Sequence, residues 1–355
     1  MIFVVLIVWL WLNSNQQQQK PPEKIEKKEQ IKDTVKAPPL KQTISVDSQK
    51  TNPYGKLFVE RAKGKERIIT IETDLYYVEL STKGGVLRKW QLKKFKTWDG
   101  YPVELVNSSA GDLTILLTTT EGRVINTKDL YFDVQAPGYN LRPEGKFEFE
   151  IIFTLTASNG GKLLKKLKFR NDEYGFELAT QMLNLGSVIA NYQYEIVWEN
   201  GIRYAEHNSV DESNFAAAYA YAANELTEID ATKTDQKEQK ELSGSIDWIA
   251  TKSKYFAIAI MPISHKSEGA YLEGIRNTIK DEGMTESYGI ALKMPYTAGG
   301  NEQNTFKVFL GPLQHNTLTS YDNGLEKIMS LGWAWLIRPI SEYIMLPVFN
   351  AIHYV

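Results

Sequence analysis

Apolar and polar residues alternate along many short segments of this sequence, from about Glu66 onward. The clearest segment is KFEFEIIFTLTAS, residues 146–158. Successive side chains of a β-strand point to opposite faces, so one face of this segment is apolar and the other mostly polar. The apolar face consists of Phe147, Phe149, Ile151, Phe153 and Leu155, and the polar face of Glu148, Glu150, Thr154 and Thr156. Because Asn159-Gly160-Gly161 follows, the pattern predicts a β-hairpin.

The alternation recurs at short intervals, which predicts a mainly β fold. The further segments are RIITIET (67–73), LYYVELSTKGGVLRKWQL (75–92), LYFDVQ (130–135), FELATQMLNL (176–185) and YQYEIVW (192–198). They show no strand–helix–strand alternation, and 355 residues with 43% hydrophobic content can bury a sizeable core. We expect one large antiparallel β-sandwich over residues 55–315, followed by C-terminal helices. We interpret residues 214–244, first rich in Ala and then highly charged, as an excursion or a variable strand pair.

The chain starts with twelve uncharged apolar residues, MIFVVLIVWLWL (1–12). A helix of that length spans about 18 Å, less than the ~30 Å hydrocarbon core of a bilayer. It is a signal-peptide core, a membrane anchor or a buried helix of the domain. No small-residue cleavage site follows it and no basic residue precedes it, which favours a truncated, uncleaved transmembrane signal-anchor. Residues 13–54, rich in Gln, Lys, Glu and Pro, predict a flexible polar linker that cannot bury enough apolar surface to fold.

The last residues, SLGWAWLIRPISEYIMLPVFNAIHYV (330–355), combine tryptophans, prolines and aliphatic residues. Before them, Asp322 or Asn323 can cap a helix that begins with LEKIMSLG. At about 100° per residue, apolar and polar side chains of the tail fall on opposite arcs. Such a helix either lies in a membrane interface or packs on the sandwich. The residues that would meet the membrane interface are Trp333, Trp335, Leu336, Ile337, Arg338, Ile340, Tyr343 and Ile344.

The charge balance argues against nucleic-acid partners. Lys and Arg number 41 against 43 Asp and Glu, which gives a net charge of -2. A nucleic-acid binder needs an excess of cations to neutralise phosphates. The chain has no cysteine, so it forms neither a disulfide nor a thiolate metal site.

The sequence shows no established catalytic signature. GxSxG, HExxH, GxxxxGK[ST] and GxGxxG are all missing. The four histidines, His207, His265, His315 and His353, are far apart and lack metal-ligand spacing. Glu195 and Glu199 do not by themselves indicate glycoside chemistry. A nearby group of aromatic residues either lines a sugar cleft or packs between strands: Tyr192, Tyr194, Trp198 and Tyr204. We expect no catalytic residue, no cofactor and no metal.

Five stretches, in this order, are similar to the YidC family of bacterial membrane protein insertases, in a Bacteroidetes-like form. They are TDLYYVELSTKGGVLRKWQLKKF (73–95), LKKLKFRNDEYGFEL (164–178), DWIATKSKYFAIAIMP (247–262), FLGPL (309–313) and SLGWAWLIRPISEYIMLP (330–347). The residues that carry the likeness within the sandwich are Gly84, Gly85, Asp172, Tyr174, Trp248, Tyr255, Phe256, Pro262, Gly311 and Pro312. The likeness covers nearly the whole chain.

The resemblance implies a periplasmic domain of the galactose-mutarotase-like β-supersandwich type, held at the bacterial inner membrane. It implies insertion and folding of membrane proteins, with the lipid bilayer, nascent membrane proteins and Sec translocon subunits as partners. The family's functional arginine belongs to a five-span core that follows the interfacial helix, and Arg338 is not that residue. This portion is therefore expected to be non-catalytic by itself. The alternative is a membrane-tethered carbohydrate-binding or mutarotase-like protein, which requires an acid and a base in one cleft, for instance a His with a Glu.

Overall fold

The computed structural model describes residues 53–145, 147–280, 283–297 and 303–329. The predicted anchor and nearly all of the predicted linker lie outside the described residues. The predicted membrane-interface residues lie outside them as well: Trp333, Trp335, Leu336, Ile337, Arg338, Ile340, Tyr343 and Ile344.

Twenty strands form three sheets. The five-stranded sheet has the order β4 (Pro102–Glu104), β3 (Val86–Lys96), β2 (Tyr76–Ser81), β1 (Ile68–Glu72), β8 (Asn140–Leu141). The nine-stranded sheet has the order β14 (Glu225–Ile229), β13 (Ala217–Ala222), β16 (Trp248–Lys252), β17 (Phe256–Pro262), β20 (Gln303–Pro312), β11 (Gly175–Leu183), β10 (Lys162–Arg170), β9 (Glu148–Thr156), β7 (Asp133–Gln135). The six-stranded sheet has the order β15 (Lys237–Ser243), β18 (Gly269–Thr278), β19 (Met284–Pro295), β12 (Ile189–Trp198), β5 (Thr114–Thr119), β6 (Val124–Asn126).

Antiparallel pairing dominates the sheets, as the alternating pattern predicts. In the segment that shows the pattern best, β9 and β10 pair with Thr156 opposite Lys162, across the predicted turn. The exception is β8, which pairs with β1 in parallel. The predicted fold class, a mainly β protein with a large antiparallel sandwich, is confirmed.

The helices among the described residues are short. They are α1 (Gly55–Phe58), α2 (Ser209–Ser213) and α3 (His315–Thr319), with single 3-10 turns at Val59–Ala62, Thr127–Asp129 and Leu325–Ile328. None of the helices in the described ranges is long and apolar enough to cross a membrane.

The five-stranded and six-stranded sheets pack on the same face of the nine-stranded sheet. The ring of Trp90 in β3 lies 5.9 Å from that of Phe176 in β11, and Trp90 Nε1 donates to Leu310 O in β20 at 3.1 Å. From the six-stranded sheet, the Tyr194 hydroxyl bonds to Thr180 Oγ1 in β11 at 2.6 Å. Phe176 and Thr180 are four residues apart and so share one face of β11. One continuous apolar core therefore joins all three sheets.

A second, smaller core covers the opposite face of the nine-stranded sheet around β13, β16, β17 and β20. Its members are Ala217, Tyr219, Tyr221, Trp248, Ala250, Ala257, Ala259, Met261, Phe309, Leu318, Leu325 and Ile328. Burial on both faces explains why β13, β16 and β17 are nearly continuous runs of apolar or small residues.

Residues 214–244 close the edges of two sheets. β13 and β14 extend the nine-stranded sheet as a hairpin, and β15 forms one edge of the six-stranded sheet. The Ala-rich part is therefore an interior strand, and the charged part supplies two edge strands. Charged edge strands oppose pairing with other chains.

Candidate functional site

Residues 313–329, here called the C-terminal segment, lie on the outer face of the nine-stranded sheet. Leu318, Leu325 and Ile328 are at most 1% exposed and belong to the second core. The segment is therefore part of the folded domain. It immediately precedes residues 330–355, which carry the predicted membrane-interface residues.

Trp248 holds the middle of this segment. The strand alternation of β16 points Trp248 and Ala250 outward, away from the main core. Trp248 Nε1 donates to Asn323 O at 3.0 Å, and its ring stacks on Tyr221 with centroids 5.1 Å apart. Lys327 Nζ lies 4.2 Å from the centre of the Tyr221 ring, a cation–π contact. One buried tryptophan thus joins the sheet to the segment by packing and by a hydrogen bond.

The segment follows directly from the closely packed end of β20. A Cβ at Gly311 would stand 2.8 Å from Tyr174 Cβ and 2.9 Å from a ring carbon of Phe309, so a larger residue does not fit. Pro312 pairs with Phe256 at the last register position of β20 and β17. Leu313 N then donates to Tyr255 O at 2.7 Å.

Three grooves surround the C-terminal segment. The large groove, of about 1040 Å³, is lined by residues that include Tyr221, Pro262, His265, Lys307 and Lys327. The middle groove, of about 610 Å³, is lined by residues that include Lys94, Asp172, Tyr174, Thr317 and Tyr321. The aromatic groove, of about 410 Å³, is lined by residues that include Phe95, Trp98, Tyr255, Phe256 and Leu313.

The family-motif residues fall into two places. Eight of them line or support the surroundings of the C-terminal segment: Asp172, Tyr174, Trp248, Tyr255, Phe256, Pro262, Gly311 and Pro312. Gly84 and Gly85 lie elsewhere, at the turn between β2 and β3. Gly84 has φ +79°, and a Cβ there would stand 2.8 Å from Lys128 Cα, so this turn requires glycine.

The turn at Gly85 contacts a buried charge that the sequence analysis missed. Lys165 in β10 is fully buried, and its Nζ donates to Gly85 O at 2.6 Å and to Leu113 O at 2.8 Å. Burial lowers the pKa of Lys165 to about 7, although the negative charge of Asp112 opposes this shift. The sequence did indicate that this side chain points inward, because Lys165 lies on the same face of β10 as Leu163 and Leu167.

Asp112 completes this buried polar cluster. Its carboxylate accepts the backbone N–H of Leu113 at 2.9 Å, that of Glu199 at 2.7 Å and that of Asn200 at 2.9 Å. The side-chain amide of Asn200 also donates to it at 2.9 Å. Burial raises the pKa of Asp112 to about 6, and the donors act in the opposite direction. The cluster joins β10 of the nine-stranded sheet to turns that lead into the other two sheets.

His265 lines the large groove together with Asp247, Asp322 and Glu326, but these side chains form no hydrogen-bonded pair of acid and base. His265 Nδ1 lies 3.2 Å from Ser264 Oγ, and the ring of His207 packs edge-on against Trp98. No histidine of the described part hydrogen-bonds to a carboxylate, and within those ranges no cluster of His, Asp and Glu could hold a metal ion. Glu199 instead pairs with Lys128 at 2.6 Å.

The four aromatic residues near the end of β12 serve mostly in packing. Tyr194 and Trp198 are buried, and Trp198 Nε1 donates to Gly201 O at 2.7 Å. The Tyr204 hydroxyl accepts the backbone N–H of Glu286 at 2.9 Å. Tyr192 is exposed. These residues therefore form no common sugar-binding face.

The family model for the YidC periplasmic domain matches residues 68–342. Among curated proteins, the membrane protein insertase YidC of Chloroherpeton thalassium is 31% identical over 355 residues, covering 99% of this chain and 60% of the relative. The YidC of Pelodictyon phaeoclathratiforme is 34% identical over 352 residues, covering 98% of this chain and 58% of the relative. The chain thus spans about 60% of the length of the curated relatives that it matches.

Solved structures with a similar arrangement include a galactose mutarotase related enzyme from Lactobacillus acidophilus. It has a TM-score of 0.44 and 10% identity, and the match covers 69% of this chain and 97% of that one. A putative aldose 1-epimerase of Escherichia coli K12 has a TM-score of 0.42 and 7% identity, with 69% and 99% coverage. The family model covers most of the chain, from β1 to beyond the C-terminal segment. The chain therefore belongs to the YidC family, and its sandwich is a YidC periplasmic domain.

Proposed function

We propose that this chain is the front part of a membrane protein insertase, located at the bacterial inner membrane with its bulk in the periplasm. Residues 1–12 belong to a membrane anchor, residues 13–54 form a flexible linker, and residues 55–315 form the periplasmic sandwich. Residues 316–355 carry the interfacial helix toward a membrane core. In this proposal the sandwich is a non-catalytic scaffold that assists insertion and folding of membrane proteins.

One observation carries this proposal: the C-terminal segment is built into the second core. Leu318, Leu325 and Ile328 are buried against the sheet, and the Trp248 hydrogen bond fixes Asn323. The orientation of the chain at Met329 is therefore set by the sandwich. The chain leaves the sandwich from a fixed position there, which is the property that a scaffold for the predicted interfacial helix requires.

The partners follow from this role. The predicted tail has the residue types that settle at the lipid headgroup level, so the bilayer is the first partner. Nascent membrane proteins are the substrates of the complete insertase, and Sec translocon subunits are candidate neighbours. The three grooves around the C-terminal segment offer surfaces for such contacts.

A deletion experiment tests the proposal. This chain would replace the matching front part of the Chloroherpeton thalassium insertase, and the chimera would be expressed in a bacterium depleted of its own insertase. Deleting residues 55–315 should leave most of the insertion activity, because in this proposal the sandwich assists insertion and does not carry it out. Deleting residues 330–355 should abolish it, because the interfacial helix is lost.

The readout is protease protection of a newly made membrane protein in whole cells. Both deletion variants must accumulate to the level of the intact chimera on a blot. If the variant without the sandwich is completely inactive at an equal level, then the sandwich takes part directly and the scaffold role is wrong.

A further inference from the structure

The turn between β3 and β4 exposes large aromatic side chains on a well-ordered hairpin. Trp98 is 62% exposed and Tyr101 is 69% exposed. Thr97 N donates to Tyr101 O at 2.8 Å, and Trp98 N donates to Ala205 O at 3.2 Å. The ring of His207 packs against Trp98 with centroids 4.5 Å apart. The hairpin tip is therefore held in place while its aromatic rings face outward.

The same hairpin carries three lysines, Lys93, Lys94 and Lys96, against one carboxylate, Asp99. Lys94 and Lys96 are exposed, and neither forms an ion pair with any described residue. Lys93, by contrast, pairs with Glu72 at 3.3 Å. Residues 93–101 are called the basic–aromatic hairpin below.

A second row of aromatic residues lies beside this hairpin, across the aromatic groove. Tyr255 and Phe215 are each 42% exposed, and Lys254 Nζ lies 5.1 Å and 5.5 Å from their ring centres. The groove also includes Leu313, the first residue of the C-terminal segment. The hairpin and the segment that leads toward the predicted interfacial helix are therefore neighbours on the surface.

Exposed Trp and Tyr next to unpaired Lys is the combination that favours a membrane interface. The aromatic rings settle at the headgroup level, and nearby Lys side chains are attracted to anionic lipids. We propose that the basic–aromatic hairpin docks on a bilayer surface that contains anionic lipids. Trp98 and Tyr101 lie at the headgroups, and Lys94 and Lys96 contact lipid phosphates. This proposal rests on the membrane location proposed above.

The absence of cysteine from the sequence makes a site-specific test direct. The full chain would carry a single cysteine, either Asp99→Cys at the hairpin tip or Lys162→Cys. Lys162 lies at the far end of β10 and pairs with Leu183, eight residues along β11 from Gly175. At about 3.3 Å per residue this places it roughly 25 Å from the end of the sheet near the hairpin.

Each cysteine would be labelled with a fluorophore, and the chain mixed with vesicles of phosphatidylcholine and phosphatidylglycerol that contain a headgroup-linked nitroxide quencher. We expect the label at position 99 to be quenched at least about twofold more than the label at position 162, because only the former reaches the headgroups. The difference should disappear in vesicles of phosphatidylcholine alone.

Two variants and a matched control separate the contributions of the lysines and of the aromatic residues to the docking. Lys94→Glu with Lys96→Glu, and separately Trp98→Ala with Tyr101→Ala, should each reduce the quenching at position 99. Lys233→Glu with Lys240→Glu makes the same change of charge at two exposed lysines that form no ion pair with the described residues, and should leave the quenching unchanged.

Flotation of the vesicles distinguishes the two proposals. If the full chain does not float with the vesicles, then both the membrane location and the docking are wrong. If it floats but positions 99 and 162 are quenched equally, or the lysine variant is quenched like the unmodified chain, then the docking alone is overturned. The aromatic groove would then be a surface for an apolar peptide.

Discussion

Lys165 connects the three sheets through a single ammonium group. Its two carbonyl acceptors, Gly85 O and Leu113 O, belong to turns 80 and 52 residues away along the chain. A buried charge with fixed partners contributes little net stability against an apolar replacement, but removing one partner leaves the other groups unpaired. Asp112 is also buried, but its carboxylate accepts its hydrogen bonds from Leu113, Glu199 and Asn200 and forms no ion pair with Lys165.

Lys165→Met should therefore destabilise the domain by about 1–3 kcal/mol, because the buried carbonyl groups of Gly85 and Leu113 lose their hydrogen-bond donor. Urea unfolding of the full chain in detergent, followed by tryptophan fluorescence, measures the loss. Lys166→Met is the control: the neighbouring side chain faces outward and bonds only to the exposed Gln303 side chain at 2.9 Å. An equal loss in both variants would contradict the role of the cluster.

Glu104 gives a prediction about pH. One oxygen, Oε1, accepts the N–H of Trp90 at 2.8 Å and of Val106 at 2.9 Å, while Oε2 is buried with no partner among the described residues. Burial raises the pKa of Glu104 above its ordinary 4.5. Between pH 4.5 and the raised pKa, the folded state binds more protons than the unfolded state. The free energy of unfolding therefore falls as pH rises through this range.

Glu104→Gln should therefore reduce the loss of unfolding free energy between pH 4.5 and pH 7. Urea midpoints of the full chain across this range measure the effect. Glu144→Gln changes an exposed carboxyl and should leave the profile unchanged. A profile that is the same in the Glu104 variant and the unmodified chain would show that Glu104 does not titrate differently on folding.

At the scale of elements, the alternating pattern predicted the strands well, because one face of most strands contacts the core. The alternating pattern predicted strands least well where both faces of a strand are buried. The interior strand β13 is AAYAYA, and nothing in that composition distinguishes a strand with small side chains from a helix. Lys165 was missed for a different reason: its inward position follows from the alternation of β10, but its hydrogen-bond partners come from distant turns.

The C-terminal segment also differs from its prediction in an informative way. The helix expected from Leu325 is a short 3-10 turn, Leu325–Ile328, within the described residues. Its N-cap is Gly324, without a side-chain capping bond, so the predicted cap at Asp322 or Asn323 is wrong; Asn323 Oδ1 instead accepts the N–H of Leu325 at 3.2 Å. Burial of Leu325 and Ile328 in the second core sets this geometry, and that core forms only when distant strands meet.

Trp248→Phe should loosen the C-terminal segment selectively. The variant loses the Nε1 hydrogen bond to Asn323 O, worth about 1 kcal/mol. Amide hydrogen exchange at Lys327 and Met329, whose N–H groups bond within the segment, should become faster. Trp198→Phe is the control, since it loses a comparable bond to Gly201 O far from the segment. Faster exchange of the segment in both variants would point to global rather than local loosening.

At the scale of the whole molecule, the order of strands in the nine-stranded sheet matters most. The strands β7, β9, β10 and β11 form one side of this sheet, and β14, β13, β16 and β17 form the other. β20 lies between them and pairs with both β11 and β17. The sequence could not reveal this order, because residues 176 and 308 pair across more than a hundred intervening residues.

Truncation of the chain tests whether the nine-stranded sheet needs β20 between β11 and β17. A chain of residues 1–329 should unfold in one cooperative urea transition, because all three sheets are complete. A chain of residues 1–302 lacks β20 and should show no cooperative transition and rapid proteolysis, because the two sides of the sheet cannot join. A sharp transition in the shorter chain would mean that the two sides are stable without β20.

The central position of β20 also fixes when the domain can finish folding during export. In the periplasmic location proposed above, residues emerge in the order of their synthesis, so the edges of β11 and β17 stay unpaired until residue 312 has emerged. Unpaired edges of this kind are prone to aggregate, and closure over such long separations is slow. β20 is the last of the described strands along the chain, and its pairing with β11 and β17 joins the two sides of the sheet. Because the C-terminal segment follows directly after it, closing the sheet and seating the segment become a single late event.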